Sequence, residues 1–129
     1  MAGNDYGDVI ITPRSGPLAG QKLSAMGEIK LKSSGYKIGS EVSADQQVMN
    51  RSFEPTAVVA SCDFDRGTID WEAALRGRFD LTWEEVHAGT IHYMTNAGFV
   101  GELSDSFKDG KVSGLEVHCT KRNYRRRPV

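Results

Sequence analysis

Polar and apolar residues take turns along most of this chain, and a period of two residues is that of a half-buried β-strand. In "GEIKLKSSGYKIGS", Ile29 and Leu31 share one parity while Glu28, Lys30 and Lys32 take the other. Ser33-Ser34-Gly35 then supplies a turn, and Tyr36 and Ile38 resume the alternation, which predicts a β-hairpin with one polar face. "AVVASCDFD" places Val58, Ala60, Cys62 and Phe64 on one side, and "RFDLTWEEV" does the same for Phe79, Leu81 and Trp83. "GTIHYMT" and "AGFVGELSDSF" read as two further strands, the second alternating Phe99, Gly101 and Leu103 against Val100 and Glu102. Asp109-Gly110 is a hairpin turn signal. After it, "KVSGLEVHCTKR" turns Leu115, Val117 and Cys119 inward and Glu116, His118 and Thr120 outward.

Three stretches depart from this pattern. "TIDWEAALRG" predicts a short helix, with Thr68 or Asp70 as cap, Trp71, Ala74 and Leu75 as the apolar stripe and Gly77 as the stop. Residues 41–56, "EVSADQQVMNRSFEPT", show neither period and read as a long polar loop. Residues 1–25 are rich in Gly, Pro and Ser, and their one apolar run, "DVIIT", suits an edge strand. The segment reads as an arm without a core of its own, ordered when something else holds it. The expected fold is therefore mainly β: a small antiparallel β-barrel or sandwich of six to eight strands with one short flanking α-helix. It divides into an N-terminal arm (1–25), a β-domain (26–120) and a basic C-terminal tail (121–129).

A length of 129 residues fits one such domain, and 39% hydrophobic with 26% charged residues is too apolar for a disordered chain. The net charge of −1 conceals an asymmetry. Lys121, Arg122, Arg125, Arg126 and Arg127 surround Tyr124 at the C-terminus, a pattern seen in nucleic-acid contacts. Taking these five from the sixteen Lys and Arg leaves eleven against seventeen acids, so the body carries −6. An acidic body repels phosphate. A solvated basic terminus, or one that docks on an acidic protein neighbour, is the preferred reading of the tail. No apolar run approaches the ~18 residues that would cross a membrane. The start "MAGNDYGDVIITPRSG" lacks the basic-then-apolar order of a signal peptide, so a reducing cytosol is the expected compartment.

Candidate chemistry is sparse. His87, His92 and His118 lack the spacing of a helical metal pair and read as satisfied or solvent-facing side chains. Asp63 and Asp65 stand two apart, as in calcium loops, but Ala74 occupies the position where such a loop carries its bidentate acid. No GxSxG, GxxxxGK or GxGxxG is present, and Glu84 and Glu85, adjacent on a strand, point to opposite faces. The expectation is no catalytic residue, no metal and no cofactor. Cys62 and Cys119 both fall on the apolar parity of their strands. They read as buried, inert thiols, with a disulfide within or between subunits as the alternative.

The order of elements from Met26 to Cys119 resembles the tail tube proteins of long-tailed bacteriophages, especially the small Mu-like ones of contractile tails. The residues that carry the likeness are "GEIKLKSSGYKIG", the polar stretch 41–56, "VASCDFDRG", "TIDWEAALRG", "RFDLTWEEVHAG" and the closing meander "TIHYMTNAGFVGELSDSFKDGKVSGLEVHC". The short start "MAGN" is similar to members of this family as well. The N-terminal arm and the basic end "KRNYRRRPV" overrun the compact pattern. The resemblance implies a virion protein that closes into six-membered rings, stacked into a hollow tube and assembled in the host cytoplasm. It implies a sheath outside, a tape measure protein and then DNA in the lumen, and a baseplate and tail terminator at the ends. Hairpins of all subunits would join into one inner barrel, with the loop 41–56 and the arm making ring-to-ring contacts. The acidic body would suit a wall along which DNA slides, the basic tail lying away from the lumen. Tailocin and secretion tubes share these features. The alternative from another class is a small β-barrel nucleic-acid-binding module that grips through its basic tail.

Overall fold

The computed structural model describes residues 9–20 and 23–128. Parity becomes burial where the alternation is cleanest. In β5 (Val58–Asp65), Val58, Ala60, Cys62 and Phe64 are buried and the residues between them are not. In β8 (Lys111–Cys119), Leu115, Val117 and Cys119 point inward, and in β6 (Phe79–Glu85), Phe79, Leu81 and Trp83 do so. With β1 (Val9–Ser15), β2 (Ala25–Lys32) and β7 (Thr90–Ser106), these strands form one antiparallel sheet in the order β1-β6-β7-β8-β5-β2. The sheet curls into a half-barrel, so the mainly β expectation holds. β3 (Tyr36–Val42) and β4 (Met49–Pro55) make a separate two-stranded sheet, and β9 (Tyr124–Pro128) pairs with the first part of β7. The described residues thus hold nine strands, more than the sequence predicts.

The core gathers on the concave side of the curl. Phe64, Phe79, Leu18, Leu81, Met94, Val58, Val112 and Val117 are its largest fully buried side chains. Each such burial contributes about 1.5–3 kcal/mol. At one end Phe64, Trp71, Phe79 and Phe99 pack as an aromatic cluster with centroids 4.9–6.0 Å apart. The helix α1 (Trp71–Arg76) covers that end. Asp70 caps it by accepting from the Ala73 N–H, and Trp71 donates its indole N–H to the Arg66 carbonyl at 3.0 Å. Leu75, the third member of the expected stripe, is exposed, because six residues of helix bury only the Trp71/Ala74 side.

Four expectations change. First, β2 and β3 are not a hairpin. The Ser33-Ser34-Gly35 turn exists, with Gly35 at φ +76, but it carries the chain out of one sheet into another. β2 pairs with β5 instead, Leu31 opposite Ala60, where its apolar parity meets the core. Second, residues 41–56 are not a loop but the end of β3, a tip and all of β4. Third, β7 is one strand of 17 residues, not two. The ladder runs through the junction of the two expected strands: Ala97 opposes Phe79 and Gly98 opposes His118. Asn96 takes φ +49 there, its N–H held by the Asp80 carboxylate at 2.8 Å, and the strand bends from one side of the half-barrel to the other.

Fourth, the described parts of the arm and the tail are not appendages. β1 pairs with β6 along its length, and Ile11, Leu18 and Leu23 are buried in the core. The "DVIIT" edge strand is real, although Asp8 and the rest of 1–8 lie outside the described residues. β9 extends the line of β8 along the same side of β7, with Tyr124 buried opposite Met94.

Two glycines permit the closest backbone approach in the sheet. A Cβ on Gly101 would lie 2.2 Å from the Gly114 carbonyl oxygen, and one on Gly114 would lie 2.2 Å from that of Glu102. Both sit at positive φ, beside the bulge where β7 and β8 slip register between Gly101 and Ser104.

Candidate functional site

Among the described residues the β3–β4 hairpin is the least covered element. Thirteen of its fourteen strand residues are exposed and Gly39 is half-buried. Its register sorts the side chains by chemistry. Directly opposed residues point the same way, so Tyr36/Pro55, Ile38/Phe53, Ser40/Arg51 and Val42/Met49 form one face. Lys37/Glu54, Gly39/Ser52 and Glu41/Asn50 form the other. Apart from Ser40 and Arg51, the first face is a row of apolar groups that no described residue covers: Ile38 is 55% exposed, Phe53 54% and Met49 60%. Tyr36 meets Phe53 edge-on at 6.3 Å, and the Arg51 guanidinium lies 5.4 Å from the Phe53 ring. The tip is fixed by Ser43, whose hydroxyl donates to Asp45 at 2.5 Å and accepts from the Val48 N–H. The Ser43 hydroxyl, and after it the Gln47 N–H, hold the Asp45 carboxyl below its ordinary range.

The outer edges of the large sheet leave an open seam. β1 and β2 are the outer strands of the order, and the curl does not join them. Between them is a cavity of about 380 Å³ walled by Val9, Ile29, Leu31, Ala60 and Trp83, with Glu28, Glu85 and His92 as its polar members. Trp83 is 3% exposed, and among the described residues its indole N–H is a buried donor without an acceptor. Such a group costs free energy until something accepts from it. His92 is fully engaged: Nε2 meets the Glu85 carboxylate, and Nδ1 lies 2.7 Å from the Tyr124 hydroxyl, which also accepts from Arg126 Nε at 3.3 Å. With the proton on Nε2, His92 donates to Glu85 and accepts from Tyr124, so the chain from β9 to the seam is closed at every member.

The five C-terminal cations are dispersed by this arrangement. Lys121 donates to the Ser33 carbonyl at 2.8 Å and lies 5.2 Å from the Tyr124 ring, while Arg126 reaches the Ser33 hydroxyl at 3.2 Å. These two side chains clamp the end of β2 to β9. Arg122 is exposed in the short turn Lys121–Asn123. Arg125 and Arg127 oppose Tyr93 and Ile91, so they stand on the convex face of the sheet, away from the core. Arg14, bonded to Thr82 at 3.3 Å, shares that face.

Both cysteines are buried and free. Cys119 opposes Val58, four residues from Cys62, which separates the two by about 13 Å along the strand. A disulfide spans at most about 7 Å between Cα atoms, so the pairing within one chain is ruled out. Burial pushes Cys62 up to about 12, with the charge of Asp63 adding, and pushes Cys119 up to about 11. His118 meets Glu116 at 3.1 Å on the outer face, and His87 lies half-buried on the turn after β6. Among the described residues no three His, Cys, Asp or Glu side chains are grouped to hold a metal ion.

The comparisons with known proteins add no relative: no family model, curated protein or solved structure matches this chain.

Proposed function

We propose that the chain is a structural subunit of a phage tail tube of the contractile-tail kind. Copies close into six-membered rings, and rings stack into a hollow tube through which DNA passes during ejection. The observation that carries the reading is the β3–β4 hairpin with its uncovered apolar row. A lone two-stranded ribbon is marginal in water, and a contiguous exposed apolar patch marks a protein contact. The same chain also leaves the outer edges of β1 and β2 unpaired among the described residues. Projecting arm and open edge are different surfaces, so a contact between them is head-to-tail, the kind that closes into rings or grows into filaments. The sheath, tape measure protein, baseplate and tail terminator are the partners of such a tube, and the virion tail is its location.

The alternative, a nucleic-acid-binding module, asks the C-terminal cations to act together. Their dispersal, with Lys121 and Arg126 tied to Ser33 and Tyr124, weighs against it.

Sedimentation velocity and negative-stain electron microscopy test the reading on the wild type and on an Ile38→Lys/Phe53→Glu variant, whose opposed charges attract across the hairpin. Both positions are exposed, so the variant keeps its circular dichroism spectrum and melting temperature. The wild type forms hollow rings or tubes of uniform width on concentration, and the variant stays a single chain. Wild-type protein that remains monomeric at every concentration, or a variant that still builds tubes, argues against the assignment.

A further inference from the structure

We infer that the seam between β1 and β2 is the receptor for the β3–β4 hairpin of a second copy, the apolar row entering the cavity against Trp83. The inference rests on the stacking reading above and names the two surfaces that meet.

Complementarity on three counts points to the hairpin as the occupant. The cavity walls are aliphatic and aromatic (Val9, Ile29, Leu31, Ala60, Trp83), and so is the hairpin face with Ile38 and Phe53 at its centre. A cavity of about 150 Å³ holds a benzene-sized guest. One of about 380 Å³ therefore takes a phenyl ring together with an aliphatic neighbour, the content of the Ile38/Phe53 pair. Charge matches as well. The seam carries Glu28 and Glu85, and the cation on the hairpin's apolar face is Arg51, one pair from Phe53.

Local strand geometry keeps the receptor accessible. β2 loses register with β5 between Met26 and Lys30, and Gly27 within that interval has φ +83 with open space beside it. A bulge turns an edge strand away from its neighbour, and here it holds the wall of the cavity apart from β1. An unpaired edge of this kind accepts a strand from another chain.

Charge reversal on the native chain gives the first arm of the test. Glu28 and Arg51 are both exposed, so Glu28→Lys and Arg51→Glu leave the subunit folded. Each alone reduces the assembled fraction in sedimentation velocity at least tenfold, and the two together restore it. The second arm places Leu31→Cys and Phe53→Cys in a chain whose Cys62 and Cys119 are alanine. Mild oxidation of the assembly then yields a ladder beyond the dimer on non-reducing gels, because every copy carries both donor and receptor. Chains with one of the two new cysteines stop at the dimer. Tubes that form normally with no rescue and no ladder overturn the seam as receptor and leave the stacking reading standing. Absence of any assembly in the wild type overturns both.

Discussion

At the residue scale the two cysteines show how burial turns into a dependence on pH. Their ordinary value is 9.0, and in the fold burial pushes Cys62 to about 12 and Cys119 to about 11. The folded protein thus holds protons that the unfolded chain begins to release at pH 9.0. Their contribution is fully present below that pH and is lost as pH rises towards the folded values. The melting temperature of the wild type should therefore fall more steeply between pH 9 and pH 11 than that of a Cys62→Ala/Cys119→Ala variant. Below pH 9 the difference between them should be constant. Matched thermal melts measure this, and parallel curves across the whole range would sink the argument. The same burial keeps the thiolate fraction low at neutral pH, which makes both thiols slow towards alkylating reagents in the native state.

At the scale of elements, legibility followed how consistently a strand kept its parity. β5 alternates without a fault, and β6 and the second half of β8 bury the residues their alternation names, with Thr82 and Val112 buried off that parity. α1 carries its cap and stop in Asp70 and Gly77. β4 was hidden because Arg51 falls on the apolar parity between Met49 and Phe53, so that Met49-Arg51-Phe53 looked aperiodic until the opposite strand supplied Val42 and Ile38. β9 was hidden by its run of three arginines, in which only Tyr124 marks the inward side. β7 was split in two because the polar Asn96, at positive φ, interrupts the alternation where the strand only bends. The seam was legible only in part: Trp83, Ile29 and Leu31 stood on core parities, but that β1 and β2 face each other across a cavity is a property of pairing order. The N-terminal segment gives the sharpest consequence. Read as an arm, it could be removed without harm; as β1, with Ile11 and Leu18 buried, it cannot. Removing residues 1–20 discards these two burials at about 1.5–3 kcal/mol each, together with the β1–β6 ladder. That is a large share of the roughly 5–15 kcal/mol that stabilises a domain. The truncated chain should lack a cooperative thermal transition by circular dichroism, and a folded subunit from it would refute the placement of β1.

At the scale of the whole molecule, the question is what the cations do once they belong to a sheet. Lys121 and Arg126 act locally, joining β9 to the end of β2. Arg14, Arg125 and Arg127 stand on the convex face with Tyr93, and Glu84 opposes Ile91 among them. Three arginines with an acid in their midst, on a chain whose first 120 residues carry −6, present a small positive area inside a negative field. Phosphate binding by a few cations is weak and is eroded further by salt, because its driving force is the release of only a few counterions. Duplex DNA should therefore show no retardation by the subunit at about 0.15 M salt, where a dedicated nucleic-acid reader would still bind. Arg125→Glu/Arg127→Glu should leave that result unchanged while keeping the β7–β9 ladder, since both side chains point away from the core. Retention of DNA by the wild type that vanishes in this variant would reverse the ranking of the two functions. It would make the convex face, rather than the hairpin, the working surface of the protein. A null result in both proteins instead leaves the apolar face of the β3–β4 hairpin and the acidic, apolar-walled seam as the complementary pair of surfaces on which the assembly reading rests.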